Sequence, residues 1–259
     1  MKPIIHVKDL KKIYKTHFRE PGLFSAVKSL FVRKHKYIPA LKGVSFDINE
    51  GEIVGFIGPN GAGKSTTIKA LAGILYPTSG ELSVLGFVPW QERVKYVKNI
   101  GVVFGQKTSL FWDLPPVDTF YLNKVLYDIS EKDFKYNLNY MTEVFGVEDI
   151  MKKPVRDLSL GERMKCEIIN ALIHNPQIVF LDEPTIGLDV DAKDKFRDFV
   201  KEVNKKFKTT FIVTTHDMQD IEKLCKRVII INHGMIIYDG SISKVKEEFL
   251  DYKFIVVKF

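Results

Sequence analysis

Between Val44 and Asn49 apolar and polar side chains alternate without a break. Val44, Phe46 and Ile48 fall on one face and Ser45, Asp47 and Asn49 on the other, the period of a half-buried strand. Residues 2–10 carry similar strand character. Four runs are nearly continuous in apolar residues: 52–57 (EIVGFI), 100–104 (IGVVF), 177–181 (QIVFL) and 211–215 (FIVTT). Their length and β-branched content predict strands covered on both faces, as in an α/β sheet. Residues 81–85 resume strand character after the turn signal Pro77-Thr78-Ser79-Gly80, and 228–231 with 235–238 form a hairpin through Asn232-His233-Gly234. Helical spacing runs over 64–73 (Ile68, Leu71, Ala72), 117–127, 131–145, the stretch beyond Ser159 (Met164, Ile168, Leu172) and the charged segment 193–207. Asn175-Pro176 closes the helix after Ser159. Trp112-Asp113-Leu114-Pro115-Pro116 breaks the alternation, so 108–157 reads as a helical subdomain inserted in an α/β body.

One segment fits neither pattern. Within 16–38, Leu23, Val27, Leu30 and Phe31 share a helical face that leads into Arg33-Lys34-His35-Lys36. A basic amphipathic helix suits a membrane surface or a partner protein, and an inserted helix packing on its own domain is the plainer alternative. A net charge of +7 (39 basic, 32 acidic) is compatible with nucleotides, nucleic acid or an anionic membrane face, without choosing among them. The longest apolar runs are too short to cross a bilayer, and Met1-Lys2-Pro3-Ile4 has no signal-peptide core. Cys166 and Cys225 cannot make a disulfide framework; each lies among apolar residues on a helical stretch, which predicts buried thiols in a reducing cytosol. The strand-like residues 254–259 end without a cap, so 249–259 is expected to begin an edge strand or a truncated extension.

The chemistry concentrates in Gly58-Pro59-Asn60-Gly61-Ala62-Gly63-Lys64-Ser65-Thr66. These residues fit G-x-x-x-x-G-K-[ST] between a strand and a helix, a turn whose backbone N–H groups and positive helix end converge on one point. Lys64 is placed to reach the outer phosphates of a nucleotide and Ser65 to offer a hydroxyl to Mg²⁺. Asp182 and Glu183 stand at the carboxyl end of a buried strand, the edge of an α/β sheet where ligands bind. Asp182 suits Mg²⁺ through a water, which leaves Glu183 to orient or deprotonate an attacking water. Ser159 and Glu162 have the capping-box spacing.

Taken together, 58–66, Gln106, Leu158-Ser159-Leu160-Gly161-Glu162, 178–183, Gly187-Leu188-Asp189 and His216 resemble, in order and spacing, the ATP-binding cassette (ABC) ATPases, over nearly the whole chain from Ile4 to about Glu248. The resemblance implies a P-loop NTPase core of ABC type, a mixed sheet with helices, joined by an antiparallel β subdomain and an inserted α-helical subdomain. Residues 158–248 would then hold the signature, second acidic motif, D-loop and H-loop of one ABC domain. It further implies that Tyr14 stacks on adenine, with Tyr37 as a rival, and that Gln106 touches Mg²⁺ and the attacking water. Ser159 and Gly161 would reach the γ-phosphate held by a second subunit. Glu183 would be the catalytic glutamate, with His216 and Lys64 stabilising the transition state and Asp189 at the dimer seam.

Two positions depart from the family's usual L-S-G-G-Q: Leu160 replaces the first glycine and Glu162 the glutamine. Ser159 and Gly161 are kept, so activity is expected to survive, with Leu160 facing away from phosphate and Glu162 placing a carboxylate near ATP. The leading expectation is an ATP-hydrolysing subunit of a transporter at the cytoplasmic face of the cell membrane. It would be paired as a homodimer or with another ABC subunit and would power a separate transmembrane permease. Residues 103–115 and the insertion resemble an exporter-like branch, and 16–38 offers a peripheral membrane contact. The alternatives are a soluble ABC ATPase acting on ribosomes or nucleic acid, whose tandem cassettes or long coiled coil this sequence lacks, and a non-hydrolysing nucleotide sensor, which Glu183 and His216 argue against. No nucleic-acid partner is expected.

Overall fold

The computed structural model describes residues 3–18, 34–105, 107–215 and 218–249. In chain order the elements are β1 (Ile5–Phe18), β2 (Lys34–Ile48), β3 (Ile53–Ile57), α1 (Lys64–Leu71), β4 (Ser79–Val84), α2 (Arg93–Val97), β5 (Ile100–Phe104), α3 (Pro116–Leu126), α4 (Glu131–Phe145), α5 (Leu160–Leu172), β6 (Ile178–Asp182), α6 (Val190–Phe207), β7 (Thr210–Thr215), α7 (Met218–Leu224), β8 (Arg227–Asn232), β9 (Met235–Ser241) and α8 (Ile242–Phe249).

The four apolar runs become neighbours in a six-stranded sheet of order β5-β6-β7-β3-β8-β9, parallel except for the β8–β9 hairpin. Every residue of β7 is buried, as a central strand covered on both faces requires. A three-stranded antiparallel sheet of order β2-β1-β4 packs over one face. There Ile5, Val7, Leu10, Val44, Phe46 and Ile48 meet α1 and the sheet through Ile68, Leu71 and Phe56. The Phe46 and Phe56 rings stand 5.7 Å apart. The other face is covered by α5 and α6, on which α3 and α4 pack with Phe120, Phe134, Met141 and Phe145. Fully burying one such ring is worth about 1.5–3 kcal/mol. Apolar contact thus holds most of the layer interfaces, and the carboxyl ends of β3, β6 and β7 are left for chemistry. Among the described residues no helix is long and apolar enough to cross a membrane.

Several boundaries differ from the sequence expectation. β1 continues to Phe18, eight residues beyond Leu10, and β2 begins at Lys34, ten before Val44. β1 pairs with β4 only to Lys11, whereas it pairs with β2 from Ile5↔Ile48 out to Phe18↔Lys34. The outer part is a two-stranded ribbon whose residues are mostly solvated on both faces, so no period-2 pattern marks it. The described flanks of the 16–38 segment are thus strand; the predicted helix across Leu23, Val27, Leu30 and Phe31 lies outside the described residues, as does 254–259. Helix α6 starts at Val190 rather than Lys193 because Asp189 caps it, its Oδ1 accepting from the Ala192 N–H at 2.7 Å. Cys166 is buried on α5, while Cys225 lies just beyond α7 and is buried as well. Burial pushes both thiols up to about 12.

Candidate phosphate-binding site

The turn from β3 to α1 forms the floor of a cleft of about 690 Å³ lined by Ala40, Asn60, Gly61, Gly63, Lys64, Ser65, Thr66, Glu183 and Ile186. Close packing dictates the glycines. A Cβ on Gly58 would stand 2.1 Å from the Ile231 carbonyl oxygen, and one on Gly63, at φ +116°, would meet Leu41 at 2.9 Å. Gly61 has open space around it and is required by its φ of +77° alone. Gly63 is also the N-cap of α1, which has neither a side-chain cap nor an acidic residue in its first turn. Its first N–H groups are left to an anion. Lys64, only 5% exposed, donates through Nζ to the carbonyls of Gly58 at 2.6 Å and Pro59 at 3.1 Å. The loop's own oxygens thus satisfy a charge that phosphate oxygens can take over.

Two acids face this loop from the end of β6. Asp182 Oδ1 accepts from Ser65 Oγ at 3.1 Å and from Thr214 Oγ1 at 2.6 Å. Glu183 has φ +55°, a left-handed conformation that costs a non-glycine residue on the order of 1–3 kcal/mol. Its N–H is held by the Thr214 carbonyl and hydroxyl oxygens, both at 3.0 Å. Thr214 therefore sets both acids. Sequence reading did not single it out; the available signal was a hydroxyl within an apolar strand run.

Gln106 and His216 lie outside the described residues. Their neighbours place the chain around them. Phe104 pairs with Asp182, and Gly105 donates its N–H to the Asp182 carbonyl at 2.9 Å. Thr215 pairs with Ile57, the last residue of β3. Tyr14 and Tyr37 both stand on the outer ribbon and neither lines the cleft. Directly opposed residues of an antiparallel pair share a face. Tyr14, opposite Ile38, and Tyr37, opposite Lys15, therefore point to opposite sides. Lys12 Nζ lies 5.3 Å above the Tyr14 ring.

Ser159, Gly161, Glu162 and Asp189 are not among the cleft residues. They cluster where the start of α5 meets the start of α6. The capping box is complete: Ser159 Oγ accepts from the Glu162 N–H at 3.2 Å, and Glu162 Oε2 accepts from the Ser159 N–H at 2.8 Å. Hydrogen bonds from the Ser159 side chain and backbone hold the Glu162 carboxyl below its usual range. Leu160 turns onto Gly187, where an added Cβ would sit 2.1 Å from its Cδ2. Glycine at 187, held at φ +74°, gives this leucine its room.

The family described as ABC transporter matches residues 41–186, more than half of the chain. The ABC transporter ATP-binding protein NatA of Bacillus subtilis is 35% identical over 84% of this chain and 88% of its own. The methionine import ATP-binding protein MetN 2 of Enterococcus faecalis is 30% identical over 85% of this chain and 64% of its own. A solved dimeric ATP-binding cassette in a post-hydrolysis state, bound to ADP and Pi, superposes with a TM-score of 0.76 at 24% identity over 92% of this chain and 98% of that one. A phosphate loop in a parallel sheet, an acid pair at the adjoining strand end and these likenesses agree, and the chain belongs to the ABC transporter family as an ATP-binding cassette ATPase.

Proposed function

We propose that this chain is the subunit that binds and hydrolyses MgATP to drive a separate membrane permease, and that it works as a head-to-tail pair of cassettes. The observation that carries the reading is the cleft in which Lys64, Ser65 and Glu183 converge. ATP phosphates replace the Gly58 and Pro59 carbonyls as partners of Lys64, while the first N–H groups of α1 hold their oxygens. Ser65 and Asp182 present two hard oxygen donors side by side, and they would hold Mg²⁺, with Gln106, at the outer phosphates. When bound, that ion neutralises charge on the transferring phosphoryl group. Glu183 orients the attacking water, and His216 contacts the γ-phosphate. Tyr14, on the ribbon opposite Ile38, serves as the adenine platform, as the resemblance implies.

The signature cluster is the other half of a composite site. The Ser159 hydroxyl, which caps through a lone pair and bonds the Glu162 carboxyl, would turn its O–H to the γ-phosphate of a partner cassette, with Gly161 and Glu162 beside it and Asp189 at the seam. For the permease, α3 and the loop before it leave Phe111, Trp112, Leu114, Tyr121, Val125 and Leu126 exposed, a run of large apolar side chains close in sequence. That surface fits a membrane partner at the cytoplasmic face, and residues 16–38 would add a peripheral contact. The export direction rests on the resemblance of residues 103–115 and the ribbon insertion.

The solution mass of the chain with and without Mg-ATP tests the pair. A monomer that becomes a dimer only with Mg-ATP is expected, and Ser159→Ala should weaken that dimer and cost about 1 kcal/mol of stability through the lost cap. A dimer unaffected by Ser159→Ala would remove the signature from the interface. Failure to bind ATP at all would overturn the reading.

A further inference from the structure

Eight residues along α5 from Ser159, Glu167 is 4% exposed, and its carboxylate is met by hydroxyls and an amide. Oε1 accepts from Thr108 Oγ1 and from the Ser109 N–H at 2.9 Å. Oε2 accepts from Ser109 Oγ and, at 3.2 Å, from the same N–H. These donors belong to the loop that leaves β5, just past Gly105, whose N–H is held by the Asp182 carbonyl. The network continues outward: Asn170 Nδ2 donates to Ser109 Oγ at 3.0 Å, and Asn123 Nδ2 on α3 donates to Asn170 Oδ1 at 2.6 Å. A buried carboxylate is costly unless its lone pairs are filled, so loop and helix cannot separate without exposing an unsatisfied charge. Three elements are thereby locked together: the loop anchored at the acid pair, the helix that presents Ser159, and the helix that carries the exposed apolar surface.

We propose that Glu167 is a positioning residue that makes the loop after β5 and helix α5 move as one body, so that nucleotide at the acid pair sets how Ser159 is presented to the partner cassette. The inference rests on the function proposed above. Leucine or alanine at 167 would still pack against the core; the carboxylate is there to hold hydroxyls, and its site lies at the junction of the two half-sites.

Steady-state ATP hydrolysis by Glu167→Gln, Ser109→Ala and the double variant, with ATP binding and the unfolding midpoint measured alongside, tests this. Glu167→Gln keeps the shape but replaces one acceptor oxygen with a donor. Misplacement at this distance should lower kcat about tenfold or more, with the ATP dissociation constant within about twofold of the parent chain. The double variant should lose no more than the worse single one, because both changes break one linkage. A kcat unchanged in folded Glu167→Gln, a loss confined to KM, or additive losses would overturn the proposal. Should Glu167→Gln fail to fold, Thr108→Val with Ser109→Ala removes the hydroxyl donors from the loop side, and unchanged kcat there would overturn it equally. A parent chain that binds ATP without hydrolysing it would overturn the functional reading itself.

Discussion

Glu183→Gln should slow ATP hydrolysis by about 10²-fold or more while leaving ATP bound as tightly as before. The substitution keeps the size of the side chain and the backbone bonds to Thr214, and removes only the anionic oxygen that can orient or deprotonate water. The strained φ of +55° gives a second reason to expect a specific role. A residue that only ended a strand would gain by relaxing. Single-turnover hydrolysis compared with equilibrium ATP binding separates the steps. The variant should also accumulate as the ATP-bound dimer, because closure proceeds and turnover does not. Unchanged turnover would remove Glu183 from the mechanism and shift attention to His216.

Arg197→Ala should destabilise the fold by about 3–5 kcal/mol, the range found when one partner of a buried ion pair is deleted. Arg197 and Asp220 are 4% and 3% exposed and are directly paired. Asp220 also accepts from Thr185 Oγ1 at 2.7 Å, and Arg197 pairs with Asp194 as well. Burial works against the guanidinium charge, yet its bonds to Asp194 and Asp220 outweigh this and hold its pKa above the usual range. Without Arg197, Asp220 still has Lys193 at 3.8 Å among the described residues. The denaturation midpoint in urea, at constant slope, measures the loss. A change below about 1 kcal/mol would mean that Lys193 takes over the pairing. Thr185 lies two residues past Glu183 and α7 follows His216, so a weakened cluster should also loosen the catalytic edge.

The phosphate loop and the Asp182–Glu183 pair were legible because their chemistry is local: glycines, a lysine and a hydroxyl in fixed register, then acids after an apolar run. The capping box at Ser159 and Glu162 could be read for the same reason. What escaped depends on distant partners. Thr214 acts through contacts to residues more than thirty positions earlier. Arg197, within the charged segment 193–207, and Asp220 are paired only once α6 and α7 pack together. Helices α2 and α7 span five and seven residues, too short for a 3.6-residue period to stand out. Leu160, which looked like a misfit in the signature, has its partner at Gly187, a loop away.

Both cysteines are sealed inside the protein and hold their protons far above neutral pH. Sulfhydryl reagents can therefore reach them only when the chain opens. One sits on the helix that presents Ser159 and the other just past α7, so their separate labelling rates would act as two built-in clocks for local opening, readable with no engineered probe.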